Sequence, residues 1–151
     1  MIITVLAVGK TKKKFVQDGI IEYTKRLNKY ARVKWLFVDP VTSANVESRV
    51  QKESELLAIQ LKNIDGYTIL LDKIGKLQSS EEFALTLSKT QKTGKITLVI
   101  GGSDGFDITI IPHDFVVSLS KMTFEHDLVR LVLFEQLYRA YSILEGGKYH
   151  K

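Results

Sequence analysis

The chain has no cysteine. That excludes disulfides, thiolate zinc sites and cysteine nucleophiles, and it suits a reducing cytoplasm. Its three histidines, His113, His126 and His150, show no metal-ligand spacing, and no His-x-x-x-His or carboxylate cluster accompanies them. No structural metal is expected. A Gly-x-Ser-x-Gly elbow and a recognisable triad are also missing. Long hydrophobic runs are absent as well. Residues 1–9 are apolar but short, with no preceding basic stretch, and read as a first strand. Residues 128–144 are interrupted by Arg130, Glu135, Gln136 and Arg139, so they form a buried or interface helix and not a membrane span. There is no internal repeat, low-complexity tract or linker, and residues 1–151 read as one domain.

What is present is an ordinary globular composition. Apolar residues make up 44% of the 151 positions, which argues against disorder. A chain this long buries roughly 70% of its unfolded surface and needs no staple. Net charge is +5. That favours a polyanionic partner such as RNA, although a merely soluble basic domain has the same balance.

Strand-like and helix-like segments alternate, the pattern of an α/β fold with a mainly parallel sheet. Strand one is 2–8. Val16, Ile20, Tyr23, Leu27 and Tyr30 recur at helical spacing, predicting a helix over 13–29. Val33, Trp35 and Phe37 alternate in strand two, which Pro40 ends. Val46, Val50, Leu57 and Leu61 mark a second helix. Strand three is 67–71, with 71–76 as its exit loop. Ser79 and Glu82 form a capping box for a third helix reaching about residue 91. Strand four is 96–100. Pro112 could open a short helix, and strand five is 115–119. A last helix over 127–144 closes at Gly146-Gly147. Its apolar residues cover more than one face. Either it is enclosed within the subunit or its outer face packs on a second copy, and a homodimer through this helix is the expectation.

Open α/β sheets bind ligands beyond the carboxyl ends of their strands. Two such ends are candidates here. Gly101-Gly102-Ser103-Asp104-Gly105-Phe106 lacks Walker and dinucleotide-fold spacing. It is either a tight turn or a loop whose glycines let a ligand approach the backbone. Residues 118–124, Ser-Leu-Ser-Lys-Met-Thr-Phe, are either a plain strand end or a set of hydroxyl and backbone groups for a purine edge. His126 is open to capping, ligand contact or solvent, and His113 reads as a surface residue. The terminal Lys148-Tyr149-His150-Lys151 follows a double glycine. It is either a frayed end or an aromatic and imidazole tail folded over a site. Arg139 faces either a phosphate or a surface carboxylate.

Taken together, several segments resemble one family. Ala7-Val-Gly-Lys10, Leu70-Leu-Asp-Lys-Ile-Gly-Lys76, Val99-Ile-Gly-Gly-Ser-Asp-Gly-Phe106, Leu119-Ser-Lys-Met-Thr-Phe124, His126, Val129-Arg130, Glu135-Gln-Leu-Tyr-Arg-Ala140 and Tyr149-His-Lys151 are similar, in order and over the whole chain, to the bacterial 23S rRNA pseudouridine N3-methyltransferases of the SPOUT class. Two positions depart from that pattern: Glu125 and Lys148 stand where proline is common.

The resemblance implies a SPOUT-type α/β fold with a C-terminal trefoil knot, and a homodimer with its site at the interface. It implies an S-adenosylmethionine cofactor lying against Leu71, Gly101, Gly102, Leu119, Ser120, Lys121, Met122, Thr123 and Phe124. It also implies a cytoplasmic enzyme acting on the assembled ribosome, with no membrane or metal partner. Tyr149, His150 and Arg139 would face the RNA as catalytic residues: His150 as base or positioner, Tyr149 stacking or hydrogen-bonding, Arg139 stabilising negative charge or holding a phosphate. Two alternatives compete: a SPOUT methyltransferase on another RNA such as tRNA, and a noncatalytic RNA- or nucleotide-binding dimer.

Overall fold

The structure is a computed structural model that describes residues 1–151, the Gln91 side chain excepted. Five strands form one parallel sheet: β1 (Ile2–Val8), β2 (Arg32–Val38), β3 (Tyr67–Leu77), β4 (Lys95–Ile100) and β5 (Phe115–Ser118). Their order is β2-β1-β4-β3-β5. β1 is buried from Ile3 to Val8, as expected of a parallel strand covered on both faces.

Four helices cover the sheet: α1 (Lys14–Leu27), α2 (Val46–Leu61), α3 (Ser80–Lys89) and α4 (His126–Leu144). The alternation of side chains along β1 divides the core. Ile3, Val5 and Ala7 pack with α1, α3 and α4. Leu6 and Val8 pack with Leu57 and Leu61 of α2, with Phe106 and with Ile111. Each fully buried leucine or isoleucine contributes about 1.5–3 kcal/mol relative to exposure.

α4 lies against both α1 and α3, so one side of it is enclosed within the subunit. Val129 and Leu131 pack at the edge of the core shared with α1 and α3, whereas Leu128 and Val132 are half-buried on its remaining surface. The helix closes with bonds from the Gly146 amide to the Ile143 carbonyl and from the Gly147 amide to the Ser142 carbonyl. Gly146 has φ +66°, the residue and conformation that this double bond pattern favours.

Three local expectations change. Residues 71–76 are not a free exit loop, because β3 continues to Leu77 with a register shift between Leu71 and Lys76 against β5. No helix follows Pro112. Ile111 is buried in the α2-side core, and the Asp114 amide bonds the Thr68 carbonyl, so the segment is drawn out alongside β3 into β5. The third helix ends at Lys89, and a 3-10 turn, Thr90–Lys92, follows. The capping box at Ser79 is present: its hydroxyl accepts from the Glu82 amide (3.2 Å), and the Glu82 carboxylate accepts from the Ser79 amide (2.7 Å).

Among the described residues no helix is long and apolar enough to cross a membrane, and no group of three His, Cys, Asp or Glu side chains is placed to hold a metal ion.

Candidate functional site

A cavity of about 730 Å³ opens beyond the carboxyl ends of β3, β4 and β5. It is lined by residues 71–74, 100–108, 117–120 and 122–126, with Val129. This gathers Leu71, Gly101, Gly102, Leu119, Ser120, Met122, Thr123 and Phe124. Lys121 is exposed on the same turn and is not among the lining residues.

The glycine loop is held from behind by α2. Arg49 pairs with Asp104 at 2.9 Å, and the Ser54 hydroxyl accepts from the Asp107 amide at 2.8 Å. A Cβ on Gly101 would sit 2.8 Å from the Phe106 ring and 2.9 Å from the Gly105 carbonyl carbon. The loop therefore folds tightly only because no side chain is there. The 118–122 turn is fixed by its own hydroxyls: Ser118 donates to the Ser120 carbonyl (3.0 Å) and Ser120 accepts from the Met122 amide (3.0 Å).

The third wall is the start of α4. Glu125 caps the helix, its carboxylate accepting from the Asp127 and Leu128 amides at 3.0 Å each. A proline at this position would supply no such acceptor. Burial works against the charged form, but the Leu128 amide, Lys13 and His126 hold the Glu125 carboxyl below its usual range. His126 is the first helical residue and lines the cavity, with Nδ1 3.0 Å from Glu125.

Behind this wall is a buried clasp. Asp127 is 1% exposed and Arg130 is 0% exposed. One Asp127 oxygen accepts from the Lys12 and Lys13 amides (2.9 and 3.0 Å). Arg130 donates to the Val8 carbonyl (2.9 Å) and the Thr11 hydroxyl (3.0 Å). The clasp ties the β1–α1 loop, with Lys10, Lys12 and Lys13, to the cavity wall. Sequence reasoning used Arg130 as a break in an apolar run and as part of a family-like segment, but gave it no site or structural role. The signal was its position three, four and seven residues before Leu133, Phe134 and Leu137, on the face that is buried.

The tail forms a second cluster. Tyr149 donates to Glu135 (3.0 Å), lies edge-on to Tyr138 with centroids 4.7 Å apart, and sits under the Arg139 guanidinium at 4.7 Å. Burial, the Tyr23 hydroxyl and Glu135 push the Tyr149 phenol well above its ordinary range. Arg139 is ion-paired to Glu135 at 2.6 Å. The His150 ring lies between Arg139 (Nδ1, 3.3 Å) and Glu81 (Nε2, 2.8 Å). Its own amide and the His150 ring hold the Glu81 carboxyl down at about 2. The structure thus brings His150, Tyr149 and Arg139 together, but none of them lines the cavity. Arg139 lies ten residues beyond Val129 on α4, about 15 Å along its axis.

Known proteins share this arrangement of sequence from end to end. The family described as "Predicted SPOUT methyltransferase" matches residues 1–150. Proteins named "Ribosomal RNA large subunit methyltransferase H" from Carboxydothermus hydrogenoformans and Acetivibrio thermocellus are each 41% identical over 160 residues, covering 100% of both chains. The protein of that name from Halothermothrix orenii is 40% identical over 162 residues, again with 100% of both covered. With a parallel α/β sheet, a cavity at its carboxyl edge and these full-length matches, the chain belongs to the SPOUT methyltransferase family.

Proposed function

We propose that this protein methylates N3 of a pseudouridine in 23S rRNA on the assembled ribosome, using S-adenosylmethionine and working as a cytoplasmic homodimer with a C-terminal trefoil knot. The observation that carries the reading is the cavity at the ends of β3, β4 and β5. In a chain of this family it collects the glycine loop and the 119–124 turn into one pocket.

The cavity suits the cofactor. Its volume is within the range of about 300–1,000 Å³ typical of small-molecule sites. Its glycine backbone is open to close approach, and Asp72, Asp104, Asp107 and Glu125 face it against a single lysine, Lys73. A carboxylate-rich wall favours a cation. The cofactor would supply a methyl group already activated on a sulfonium, so the protein's task is mainly alignment. Leu71, Gly101, Gly102 and the 119–124 turn would hold it.

The pseudouridine N3 must lose a proton to be methylated. His150 is the base in this reading, but both of its ring nitrogens are engaged in the isolated subunit. Arg139 must swing its Nη1 off Nδ1 before that nitrogen can take the proton, and Nη1 can then face negative charge on the pseudouridine while Glu135 still holds Nε and Nη2. Tyr149, held neutral, offers a ring for stacking and a hydroxyl for hydrogen bonding.

Separation of tail and cavity within one subunit supports the dimer. Two copies of α4 packed antiparallel about a two-fold axis place the tail end of one beside the cavity end of the other. The half-buried Leu128 and Val132 give that contact an apolar surface. The Lys10–Lys13 loop beside the cavity wall gives the RNA phosphates a grip. With a net charge of only +5, nonspecific affinity is small, which favours a shaped particle over naked RNA.

The test is transfer of labelled methyl from S-adenosylmethionine to ribosomes lacking the modification, with mass spectrometry of the large-subunit rRNA. Methyl on a 23S pseudouridine is expected. Transfer to tRNA alone would move the substrate to another RNA. Failure to bind the cofactor would leave the noncatalytic dimer. Equal methylation of protein-free rRNA would remove the preference for the assembled particle.

A further inference from the structure

The register shift in β3 has a chemical result. Leu71 and Lys76 both pair with Val117 of β5, so residues 72–75 leave the ladder and return to it. Gly75 lies so close to β5 that a Cβ there would be 2.5 Å from the Val117 carbonyl carbon and 2.8 Å from the Ser118 amide nitrogen. The excursion is pinned at that point, and Asp72, Lys73 and Ile74 are carried over the cavity they line. The Asp72 carboxylate is oriented by the Ile74 amide, which donates to one oxygen at 3.0 Å.

The other lining carboxylates are already engaged. Asp104 holds Arg49, Glu125 holds Lys13 and His126, and Asp107 accepts from the Thr109 hydroxyl and amide. Among the described residues, Asp72 has no ion pair and no hydroxyl partner, and its second oxygen is free. Lys73, the one lining lysine, is exposed on a flexible stem, whereas Asp72 is half-buried and held by its backbone bond.

We propose that Asp72 makes the cavity prefer the cationic sulfonium donor to the neutral thioether left after transfer. This inference rests on the methyl-donor reading above. The donor carries a sulfonium, an ammonium and a carboxylate, a net charge of one positive unit. When the sulfur–methyl bond breaks and the methyl bonds to nitrogen, the bonding pair stays on sulfur. The proton from nitrogen goes to the base, and the spent cofactor has no net charge. A fixed carboxylate separates the two ligands by that one unit. The same loss of attraction speeds release of the spent molecule.

Isothermal titration of S-adenosylmethionine and S-adenosylhomocysteine into wild type and Asp72→Asn tests this without any turnover. The variant is expected to weaken S-adenosylmethionine binding about tenfold, the effect of one unit charge at a partly screened site. S-adenosylhomocysteine binding should change by less than about twofold, since it offers that charge no net partner. Equal weakening of both ligands, or no change in either, would overturn the assignment. Wild type alone gives a second measurement if the variant does not fold: added salt should raise the S-adenosylmethionine Kd and leave that of S-adenosylhomocysteine nearly flat. Equal salt dependence would also overturn it. If wild type binds neither ligand, the methyl-donor reading itself falls; if it binds both without discrimination by charge, only the role of Asp72 does.

Discussion

Replacing Arg130 with methionine probes the clasp that holds the cavity wall. The side chain is fully buried and donates to Val8 and Thr11, while Asp127 supplies the compensating charge. Methionine fills similar space, so the packing loss is small. What remains is a buried carbonyl without its donor and a buried carboxylate without its countercharge. Arg130 and Asp127 attract each other without direct contact, so the main cost is the buried carbonyl left unsatisfied, about 1–3 kcal/mol. For a domain of this size 1 kcal/mol shifts Tm by about 2–4 °C, so Arg130→Met should lower Tm by roughly 2–12 °C. Urea unfolding should show the midpoint falling at constant slope. The sharper readout is a cycle with Asp127→Asn, which keeps an oxygen for the Lys12 and Lys13 amides while removing the charge. The double variant should cost less than the sum of the singles by at least about 1 kcal/mol, because no buried charge is then left alone. A single-variant loss below about 1 kcal/mol, or additivity within about 0.5 kcal/mol, would refute the reasoning.

Gly101→Ala places a methyl group against Phe106 and the Gly105 backbone; it should destabilise the loop by about 1–3 kcal/mol and abolish tight binding of S-adenosylmethionine, measured by titration, with the circular dichroism spectrum unchanged. Asp127 gives a pH signature. Burial opposes its charged form, but the Lys13 and Lys12 amides prevail and hold its carboxyl below the ordinary aspartate value of 3.8. Its stabilisation is therefore complete above that value and lost as pH falls through the depressed folded pKa. Between pH 5 and 2.5 the Tm of Asp127→Asn should fall less steeply than that of wild type, and parallel curves would contradict the assignment. Lys12→Gln should reduce the salt slope of ribosome binding by about 0.7–0.9 if that lysine contacts a phosphate, while leaving the S-adenosylmethionine Kd unchanged.

The strands and helices were legible wherever local pattern and tertiary environment agree. β1 and β4 are continuous apolar runs because both are central in the sheet. The Ser79–Glu82 box marks α3 because capping is a matter of four consecutive residues. Legibility ends where a distant partner decides. Asp72-Lys-Ile-Gly-Lys76 reads as a turn, yet β5, more than forty residues later, draws Lys76 and Leu77 back into the sheet. Pro112 offers a helix start, but burial of Ile111 and pairing of β5 override it. Asp127 and Arg130 find their partners 114 to 122 residues away, beyond any local signal. Of the residues assigned to the cofactor from sequence, the glycine loop and the 119–124 turn lie together because both are strand exits. The Tyr149–His150 tail was open between a frayed end and a docked one, and only the tertiary contacts with Tyr138, Glu135 and Glu81 distinguish them.

α4 links these parts. At its first turn Glu125 and His126 form a wall of the cavity, and Asp127 and Arg130 fasten that wall to the lysine loop. Three turns later Glu135, Tyr138 and Arg139 form the platform on which the tail lies. A helix of 19 residues is a rod of about 28 Å, so the spacing between wall and platform is fixed and no local flexing brings one to the other. The eleven residues that separate His150 from Arg139 are spent on finishing the helix and turning back at Gly146. The tail therefore docks on its own helix and stops short of its own cavity. In the proposed dimer a second subunit with its rod antiparallel would bring each tail toward the other copy's cavity end, and within the subunit the contacts of His150 with Arg139 and Glu81 keep the tail docked on its platform.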